Sequence, residues 1–506
     1  QHILQDKYGV APKSTARGTM FGWGVALEMI GLLAVYVVLV FWVHGNLASG
    51  AMKNAMTLVL EFTGFLFFIF FTEVLCDEQP HIKKRFVFEK ELFLVNPIFG
   101  GVVSALALLA HRIYPGAFPV LKALTPPEYK VWDFNAVLWK DWYYKGKVLV
   151  GITCFTSNSA EAYRIARTFK QKGATVVMGG PHVMYFPEEA LQYCDSVVVG
   201  QAEGVWADVV RDYEAGAMKR IYAAPPEEAH FQRVQKYLLS APPLEALSVL
   251  ETTRGCKFQC YFCTNPTYLG TTYRKKALED MIALVRHASK ASRRMLFLDV
   301  NIFADPAYAK AFFRALIPLR VRWQGCGSVD IGADEEALRF IKESGCELLL
   351  VGYEVSGGSP EEARGGKFAM VSRYEELTRK IKRAGIKVKG TFIFGFDTDD
   401  FGAFCKLWWF CFRLFVWRTS VSVLTPLPGS QFFVDVARAD RFLNLNWRKY
   451  DAFASVVVRP GSYNFFLSQI GFLLVKLLDW TTSTTGVFFV VVGPFICLKV
   501  MEIWLR

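Results

Sequence analysis

The chain has 506 residues, enough for two or three domains, and 53% of them are hydrophobic. Its mean hydropathy of +0.24 is high for a soluble protein, so long apolar segments that enter a membrane are expected. The formal net charge of +12 then favours anionic lipid headgroups as a partner, and no nucleic acid is expected because no basic stripe with a nucleic-acid motif occurs.

Two apolar segments precede the first predicted globular domain. Residues 21–43 and 56–75 are each long enough to cross roughly 30 Å of hydrocarbon, and the first is too long for a signal peptide. Basic residues follow the second segment, whereas only Lys53 lies between the two, which places both flanks in the cytoplasm. Glu28 and Glu61 within the segments either have a function or face each other or a partner helix. Residues 1–90 are therefore predicted to form a transmembrane hairpin.

From residue 91 to 215, short apolar strands alternate with helices, which predicts a doubly wound parallel sheet. The strands are expected in ELFLVNPIFG, YKVWDFN, KVLVGITCFTS, ATVVMGGPH and DSVVVGQAE. Such sheets bind ligands at the carboxyl ends of their strands, where glycines allow a close backbone approach. The candidate binding residues at these ends are Asn96, Thr156, Gly179, Gly180, Pro181, His182, Gly200, Gln201 and Glu203.

The second half of the chain predicts an incomplete barrel. Residues 216–246 contain two Pro-Pro pairs and are predicted to be a linker, and about six strand–helix units follow over residues 247–430. One helix, residues 403–417, is aromatic nearly all round and is expected either to contact the membrane or to be buried between domains. In the C-terminal extension, 431–506, two further apolar segments (463–480 and 486–505) predict a membrane-associated hairpin.

Three cysteines lie within eight residues at the first predicted barrel strand: Cys256, Cys260 and Cys263, in TTRGCKFQCYFCTNP. Thiolates at this spacing suit an iron–sulfur cluster, and three of them leave one iron of a [4Fe–4S] cluster open to another molecule. A structural zinc site would need a fourth ligand, and no nearby histidine or cysteine supplies one. Because such a cluster is oxygen-sensitive, the catalytic domains of a multi-pass membrane protein are expected on the cytoplasmic side.

This C-x3-C-x2-C motif, with Phe262 before its last cysteine, resembles the signature of the radical S-adenosylmethionine (SAM) enzymes. The resemblance implies that the open iron holds SAM, that an electron from the cluster cleaves SAM to a 5′-deoxyadenosyl radical, and that a donor such as flavodoxin or ferredoxin supplies the electron. Taken alone, Glu354 could equally be a solvated strand end. The SAM contacts that the resemblance implies are Phe262, Asp299, Asn301, Gln324, Ser328, Glu354 and Thr391.

Residues 91–215 resemble the cobalamin-binding domain that is fused to some radical SAM enzymes, because LVNP, LTPPE, GGPH-x4-PEEAL and DSVVVGQAEGVW occur in the same order. A plain Rossmann-like domain is the cautious alternative. The D-x-H-x-x-G pattern that supplies a histidine to cobalt elsewhere is absent, so His182 is expected beside the corrin and not on the metal. Gln201 stands where members of the family usually carry glutamate.

The sequence thus predicts an α/β enzyme, with a Rossmann-like cobalamin domain and a partial (βα)6 barrel, that uses a [4Fe–4S] cluster, SAM and cobalamin. The first expectation is a methyltransferase acting on an unactivated carbon of a lipid or isoprenoid, because an anchored enzyme receives such a lipophilic substrate directly from the bilayer. Cyclisation or skeletal rearrangement of a tetrapyrrole or terpenoid is the alternative. A membrane-bound cobalamin sensor with a vestigial cluster is the alternative of another class. No general acid or base is identified from the sequence.

Overall fold

The computed structural model describes the parts of the chain that form the two predicted globular domains. They are residues 85–87, 91–96, 117–135, 143–145, 147–224, 234–235, 238–256, 258–354, 366–399, 401–414, 416, 418–452 and 456–457. By its contacts the chain divides into two compact units, and nearly all of these residues belong to the unit made of 87–97, 114–136 and 145–506.

The apolar segments predicted to enter the membrane, residues 21–43, 56–75, 463–480 and 486–505, lie outside the described residues. Among the residues that are described, no helix combines the length and the hydropathy that a membrane crossing requires.

The first sheet is parallel and has six strands in the order β3-β2-β5-β6-β7-β8. A further pair, β1 and β4, forms a two-stranded sheet. The strands are β1 Arg85–Val87, β2 Glu91–Asn96, β3 Lys130–Asn135, β4 Tyr143–Lys145, β5 Val148–Thr153, β6 Thr175–Gly179, β7 Ser196–Gly200 and β8 Ile221–Ala224. The strand order reverses between β2 and β5, and the crevice at such a switch point is where doubly wound sheets bind ligands.

Five helices accompany this sheet, and they confirm the α/β prediction. In α2, successive turns bury Ala162, Ile165, Ala166 and Phe169, which is the stripe expected of a helix that packs on a sheet. The helices are α1 Ala117–Leu124, α2 Ser159–Gln171, α3 Pro181–Tyr185, α4 Pro187–Ala190 and α5 Trp206–Glu214.

Strand β8 corrects the prediction of a linker over residues 216–246. Tyr222 and Ala224 are buried while Ile221 and Ala223 are exposed, so this short run has the period of two that a strand requires. The neighbouring Pro-Pro pairs obscured the pattern in the sequence. The same stretch also contains α6 (Pro243–Ala246).

The second sheet has five parallel strands in sequential order and forms a half-barrel covered by helices on one face. Its core is built around the buried rings of Phe297, Phe312, Trp323 and Tyr353. The strands are β11 Arg294–Leu296, β12 Arg322–Gly327, β13 Cys346–Glu354, β14 Lys387–Phe394 and β15 Arg418–Val423. The helices are α8 Leu278–Ala288, α9 Pro306–Leu316, α10 Glu335–Glu343, α11 Tyr374–Arg383, α12 Phe401–Leu414 and α13 Gln431–Arg438.

The half-barrel has five described strands and not the six that were predicted. The apolar run at residues 247–252 begins with a 3-10 turn, Leu247–Val249, because Val249 and Leu250 are buried in the helical core. Leu298 N, just after β11, donates to the Leu250 carbonyl at 2.9 Å, but within the described structure this run forms no strand of the five-stranded sheet. The chain then forms a hairpin in which β9 (Thr253–Arg254) pairs antiparallel with β10 (Arg274–Lys275).

Helix α12 buries Leu407, Cys411 and Leu414 against the half-barrel, while 52% of the Trp409 side chain is exposed. The alternative in which this aromatic helix is buried on all sides is therefore wrong. Tyr185 of α3, in the domain of the first sheet, forms a hydrogen bond with the domain of the second sheet: its hydroxyl lies 2.6 Å from Thr267 Oγ1.

Candidate functional site

The cysteine loop spans the segment between β9 and α7 (Asn265–Leu269), and the β9–β10 hairpin closes its base. Cys256 N donates to the Gly270 carbonyl at 3.2 Å, and Cys263 N donates to the Cys260 carbonyl at 3.0 Å. Gly255 begins the loop with φ +94°, and a Cβ there would lie 2.2 Å from the Thr272 carbonyl oxygen. Only glycine fits this close approach.

None of the three cysteines of the loop forms a disulfide; Cys256 is buried and the other two are half-buried. Within the described parts of the chain, no three His, Cys, Asp or Glu side chains surround a point where one metal ion could sit. A cubic cluster binds one thiolate on each of three irons, so its ligands do not converge on a single ion. Three unbridged thiols in one short loop are the donor set that such a cluster requires.

Asp299 lies beneath this loop and is 1% exposed. Its carboxylate accepts hydrogen bonds from the backbone N and hydroxyl of Thr252 (3.2 and 2.5 Å) and of Thr253 (2.7 and 2.5 Å). Burial raises the pKa of this carboxyl above its ordinary value, although the four donors act in the opposite direction. The structure thus places Asp299 at the base of the cysteine loop, where both of its carboxylate oxygens accept hydrogen bonds from the threonine pair.

Asn301 and Ser328 are brought together at the carboxyl ends of β11 and β12. Asn301 Nδ2 donates to Ser328 Oγ at 3.1 Å, and Asn301 Oδ1 accepts from Ser328 N at 3.3 Å. Ser328 Oγ in turn donates to the Asp330 carboxylate. Both predicted SAM contacts therefore belong to one buried polar network.

Glu354 ends β13 with φ +65°, directly after a register shift in the pairing with β14. A non-glycine residue whose backbone lies in the left-handed region is strained, and such strain clusters at functional sites. Thr391 lies on the neighbouring strand opposite Gly352 and donates to the Val351 carbonyl at 3.4 Å. Gln324, in contrast, is the third residue of β12 and is exposed, so the structure does not bring it to the carboxyl ends with the others.

Phe262 holds the cysteine loop against the last two strands. Its ring lies 6.4 Å from that of Phe396, edge to face, within an apolar cluster that also contains Phe432 and Tyr450. Phe432 N donates to the Tyr261 carbonyl at 2.9 Å. The loop therefore closes over the carboxyl ends of β14 and β15.

A cavity of about 260 Å³ lies along the carboxyl ends of β5, β6 and β7. Five of the nine residues predicted to bind cobalamin line it: Gly179, Gly180, Gly200, Gln201 and Glu203. Gly200 has φ +104°, and a Cβ there would lie 1.9 Å from the Ala224 carbonyl oxygen, so this edge also needs glycine. The half-barrel domain supplies the opposite wall, with Glu251, Arg254, Tyr268, Lys276 and Leu298.

The other four predicted cobalamin residues do not line this cavity. Asn96 ends β2 in register with Asn135, and Pro181 begins α3. His182 is fully buried, with Nδ1 3.3 Å from Thr156 Oγ1 and Nε2 3.4 Å from the Glu189 carboxylate. His182 is thus a buried residue that does not itself line the cavity.

Glu189 joins His182 to the segment after the barrel. Trp447 Nε1 donates to its second carboxylate oxygen at 3.4 Å. Burial raises the pKa of Glu189, but the hydrogen bond and charge of His182 outweigh it, so the pKa lies below its ordinary value. Neither His182 nor His287, the two histidines in the described part of the chain, lines the cavity.

A buried charge network between the domains was missed in the sequence. The Arg254 guanidinium contacts Glu251 at 2.8 Å, the carboxylate of Glu203, and Gln201 Oε1 at 3.1 Å. Lys276 is 2% exposed in the same cavity wall, and burial lowers its pKa to about 8. Glu251 and Arg254 flank the threonine pair in ETTRGC, so both charges are visible in the sequence. Their burial was not expected, because charged residues beside a loop are usually exposed to solvent.

The cavity fits an amide-bearing corrin. Gln201 is 6% exposed, its Oε1 accepts from Arg254, and its Nε2 is buried without a hydrogen-bond partner in the described structure. A buried amide donor that lines a cavity calls for an acceptor from a ligand. The glutamine that departs from the family's usual glutamate therefore supplies a donor to the site.

The comparisons with known proteins agree with this arrangement. Residues 250–407 match the radical SAM superfamily, and residues 146–210 match the B12 binding domain. The chain is 30% identical over 320 residues to the bacteriochlorophyllide d C-12(1)-methyltransferase of Chlorobaculum tepidum, covering 61% of this chain and 70% of that protein. The chain belongs to the B12-binding radical SAM enzymes.

Two further B12-binding radical SAM proteins are similar to this chain. The bacteriochlorophyllide d C-8(2)-methyltransferase of the same organism is 26% identical over 389 residues, covering 72% of this chain and 85% of that protein. The structure of the methyltransferase TsrM from Kitasatospora setae, with cobalamin and a [4Fe–4S] cluster bound, shares the fold at a TM-score of 0.54 and 17% identity, covering 70% of this chain and 78% of that one. A radical SAM domain implies a [4Fe–4S] cluster and SAM, and a B12-binding domain implies cobalamin, so the expected cofactors are confirmed.

Proposed function

We propose that this B12-binding radical SAM enzyme transfers a methyl group to an unactivated carbon of a lipophilic substrate, with a tetrapyrrole as the substrate class. The observation that carries the proposal is the cavity between the two domains, because it places the strand ends of the cobalamin domain against the wall that holds the cysteine loop. The names of the two Chlorobaculum relatives support a tetrapyrrole.

The chain's own residues hold and orient the reactants. When bound, the cluster with SAM supplies radical chemistry and cobalamin carries a methyl group. Cys256, Cys260 and Cys263 would ligate the cluster, and Asp299 keeps their loop in place. Gln201 would donate its amide hydrogens to the corrin. The SAM contacts proposed at the strand ends are Phe262, Asn301, Ser328, Glu354 and Thr391.

We also propose that the enzyme is anchored in the membrane with its catalytic domains on the cytoplasmic side. The apolar segments at residues 21–43 and 56–75, and the exposed Trp409 on α12, support this location. Washing membranes of an expressing cell with alkaline carbonate tests it, since an anchored protein stays in the pellet and a peripheral one is released.

The test of function is a methyl-transfer assay on the full chain, reconstituted with its cofactors under anaerobic conditions. SAM carrying a ¹⁴C-methyl group is supplied with a reductant and either bacteriochlorophyllide d or an isoprenoid lipid. We expect label in the tetrapyrrole. Cys263→Ala should abolish it, whereas Cys194→Ala, a buried cysteine of the other domain, should not.

The alternatives give different results in the same assay. SAM cleavage with a chemically altered product that carries no label would favour cyclisation, if the product has lost two hydrogens, or rearrangement, if its mass is unchanged. Label found in the isoprenoid alone would show that the substrate is an isoprenoid and not a tetrapyrrole. No SAM cleavage by the reconstituted chain would overturn the proposal.

A further inference from the structure

A second cavity, of about 660 Å³, occupies the lumen of the half-barrel on the sheet face that the helices leave open. The alternation along β14 shows which side chains reach it. Val388 and Phe392 are buried, whereas Lys387 is exposed and Lys389 is half-buried, and both lysines line the cavity. This lumen belongs to neither the cysteine loop nor the cobalamin edge.

Leucines give the lumen an apolar wall. Leu296 and Leu298 are 46% and 43% exposed, and the half-buried Leu348 and Leu350 continue the wall on β13. Large aliphatic side chains left open inside a barrel mark a surface that binds something apolar. Leu296 lines the lumen and Leu298, two residues further along the same face, lines the cavity between the domains, so the wall connects the two.

The far end of the lumen is basic. Arg294, Lys342, Lys387 and Lys389 line it, and among the described lining residues Glu347 supplies the one carboxylate. That carboxylate lies 3.3 Å from the guanidinium of Arg322 and 4.0 Å from that of Arg294. The cavity therefore has an excess of positive charge beside its apolar wall, which is the complement of an amphipathic anion.

The strand geometry sets a distance between the basic end and the site of chemistry. Lys389, Thr391 and Ile393 share the lumen face of β14. Ile393 packs against the apolar cluster around Phe396, and Cys260 and Phe262 of the cysteine loop pack against the same cluster. At about 3.3 Å per residue, Lys389 and Ile393 lie about 13 Å apart along the strand.

We propose that the lumen binds the anionic arm of the substrate, with a carboxylate on Lys389 and Lys387 and an apolar body on the leucine wall. The reacting carbon then lies beyond the carboxyl ends of the strands, farther from Lys389 than Ile393, which is about 13 Å away along β14. This inference rests on the proposed function and adds the feature by which the enzyme selects its substrate: a negative charge at a fixed distance from the methylated carbon.

A binding measurement tests the inference without methyl transfer. The probes are pyropheophorbide a, a chlorin with one free carboxylate, and its methyl ester. Each is titrated into the full-length reconstituted protein, and the bound fraction is measured by centrifugal filtration and absorbance. We expect the acid to bind about tenfold more tightly than the ester, because a charge-assisted hydrogen bond is lost in the ester.

The variants separate charge from packing. Lys389→Met should weaken the acid about tenfold and leave the ester unchanged, because methionine keeps the apolar stem. Lys290→Met, which removes an exposed lysine at the end of α8, should change neither. Equal binding of acid and ester by the unmodified protein would overturn the inference, and so would an equal loss of both in Lys389→Met.

The methyl-transfer assay distinguishes a failure of this inference from a failure of the proposed function. Label transferred equally to acid and ester, with equal binding, would overturn only the anionic-arm inference. A tenfold preference for the acid, with no label transferred to bacteriochlorophyllide d or to the isoprenoid, would support the binding site and overturn the methyltransferase.

Discussion

Replacing Arg254 with methionine should destabilise the interface between the two domains more than any change of a surface charge. The side chains of Arg254 and Glu203 are 13% and 11% exposed, and that of Glu251 is 19% exposed. Burial alone would lower the pKa of the Arg254 guanidinium, but the two carboxylates raise it above its ordinary value. The cation is therefore held by its partners in a site that excludes most water.

The magnitude follows from what the substitution leaves behind. Removing one partner of a buried ion pair costs about 3–5 kcal/mol, because the remaining charge stays buried without compensation. In Arg254→Met two carboxylates lose their partner at once, so the upper part of this range is expected. Adding Glu203→Gln and Glu251→Gln should recover most of the loss, since no uncompensated charge then remains.

Urea unfolding of the cofactor-free full chain measures this cost. Arg373→Met is the matched control, because the side chains of Arg373 and its partner Glu376 are 43% and 49% exposed and its loss should be much smaller. A loss below about 1 kcal/mol for Arg254→Met, the range of exposed pairs, would refute the reasoning. So would a triple variant that is no more stable than the single one.

Three further outcomes are expected. The free energy of unfolding of the cofactor-free protein should rise by about 3 kcal/mol between pH 8 and 10.5. The pKa of buried Lys276 is about 8 in the folded chain against an ordinary 10.5, so over this range the folded chain holds the neutral amine while the unfolded chain still binds the proton. Urea titrations of Lys276→Met should lack this rise. Gly200→Ala should lose cobalamin on desalting, whereas Gly216→Ala, also at positive φ but with open space around it, should retain it; equal retention would contradict the argument. His182→Gln should lower the melting temperature but leave the visible spectrum of bound cobalamin unchanged, and a shifted spectrum would show a ligand to cobalt.

Local patterns were sufficient to predict much of the fold. The five predicted strands of the first sheet are present because each is a short apolar run that ends in glycine or a polar residue, and no other element competes for it. Cys256, Cys260 and Cys263 share one loop because their spacing is itself a local feature. The strand Ile221–Ala224 was missed since its four residues are too few to stand out directly before a proline pair.

What the sequence could not show depends on contacts between distant residues. Asp299 was expected to contact SAM, yet its carboxylate is taken up by Thr252 and Thr253, 47 and 46 residues earlier in the chain. His182 was expected at the corrin, and its partner Glu189 is ordered by a tryptophan from beyond the barrel. Burial and partner identity at such positions follow from packing, which no local pattern records.

The bond from Trp447 to Glu189 joins positions 258 residues apart. During synthesis the cobalamin domain leaves the ribosome long before Trp447 does, since chains emerge from their N-terminal end. Its interior histidine–carboxylate pair therefore gains its indole donor only after the entire half-barrel has been translated. The cobalamin domain can therefore form all of its hydrogen bonds only after the half-barrel domain has been synthesised. Full ordering of the cobalamin domain would be delayed until then.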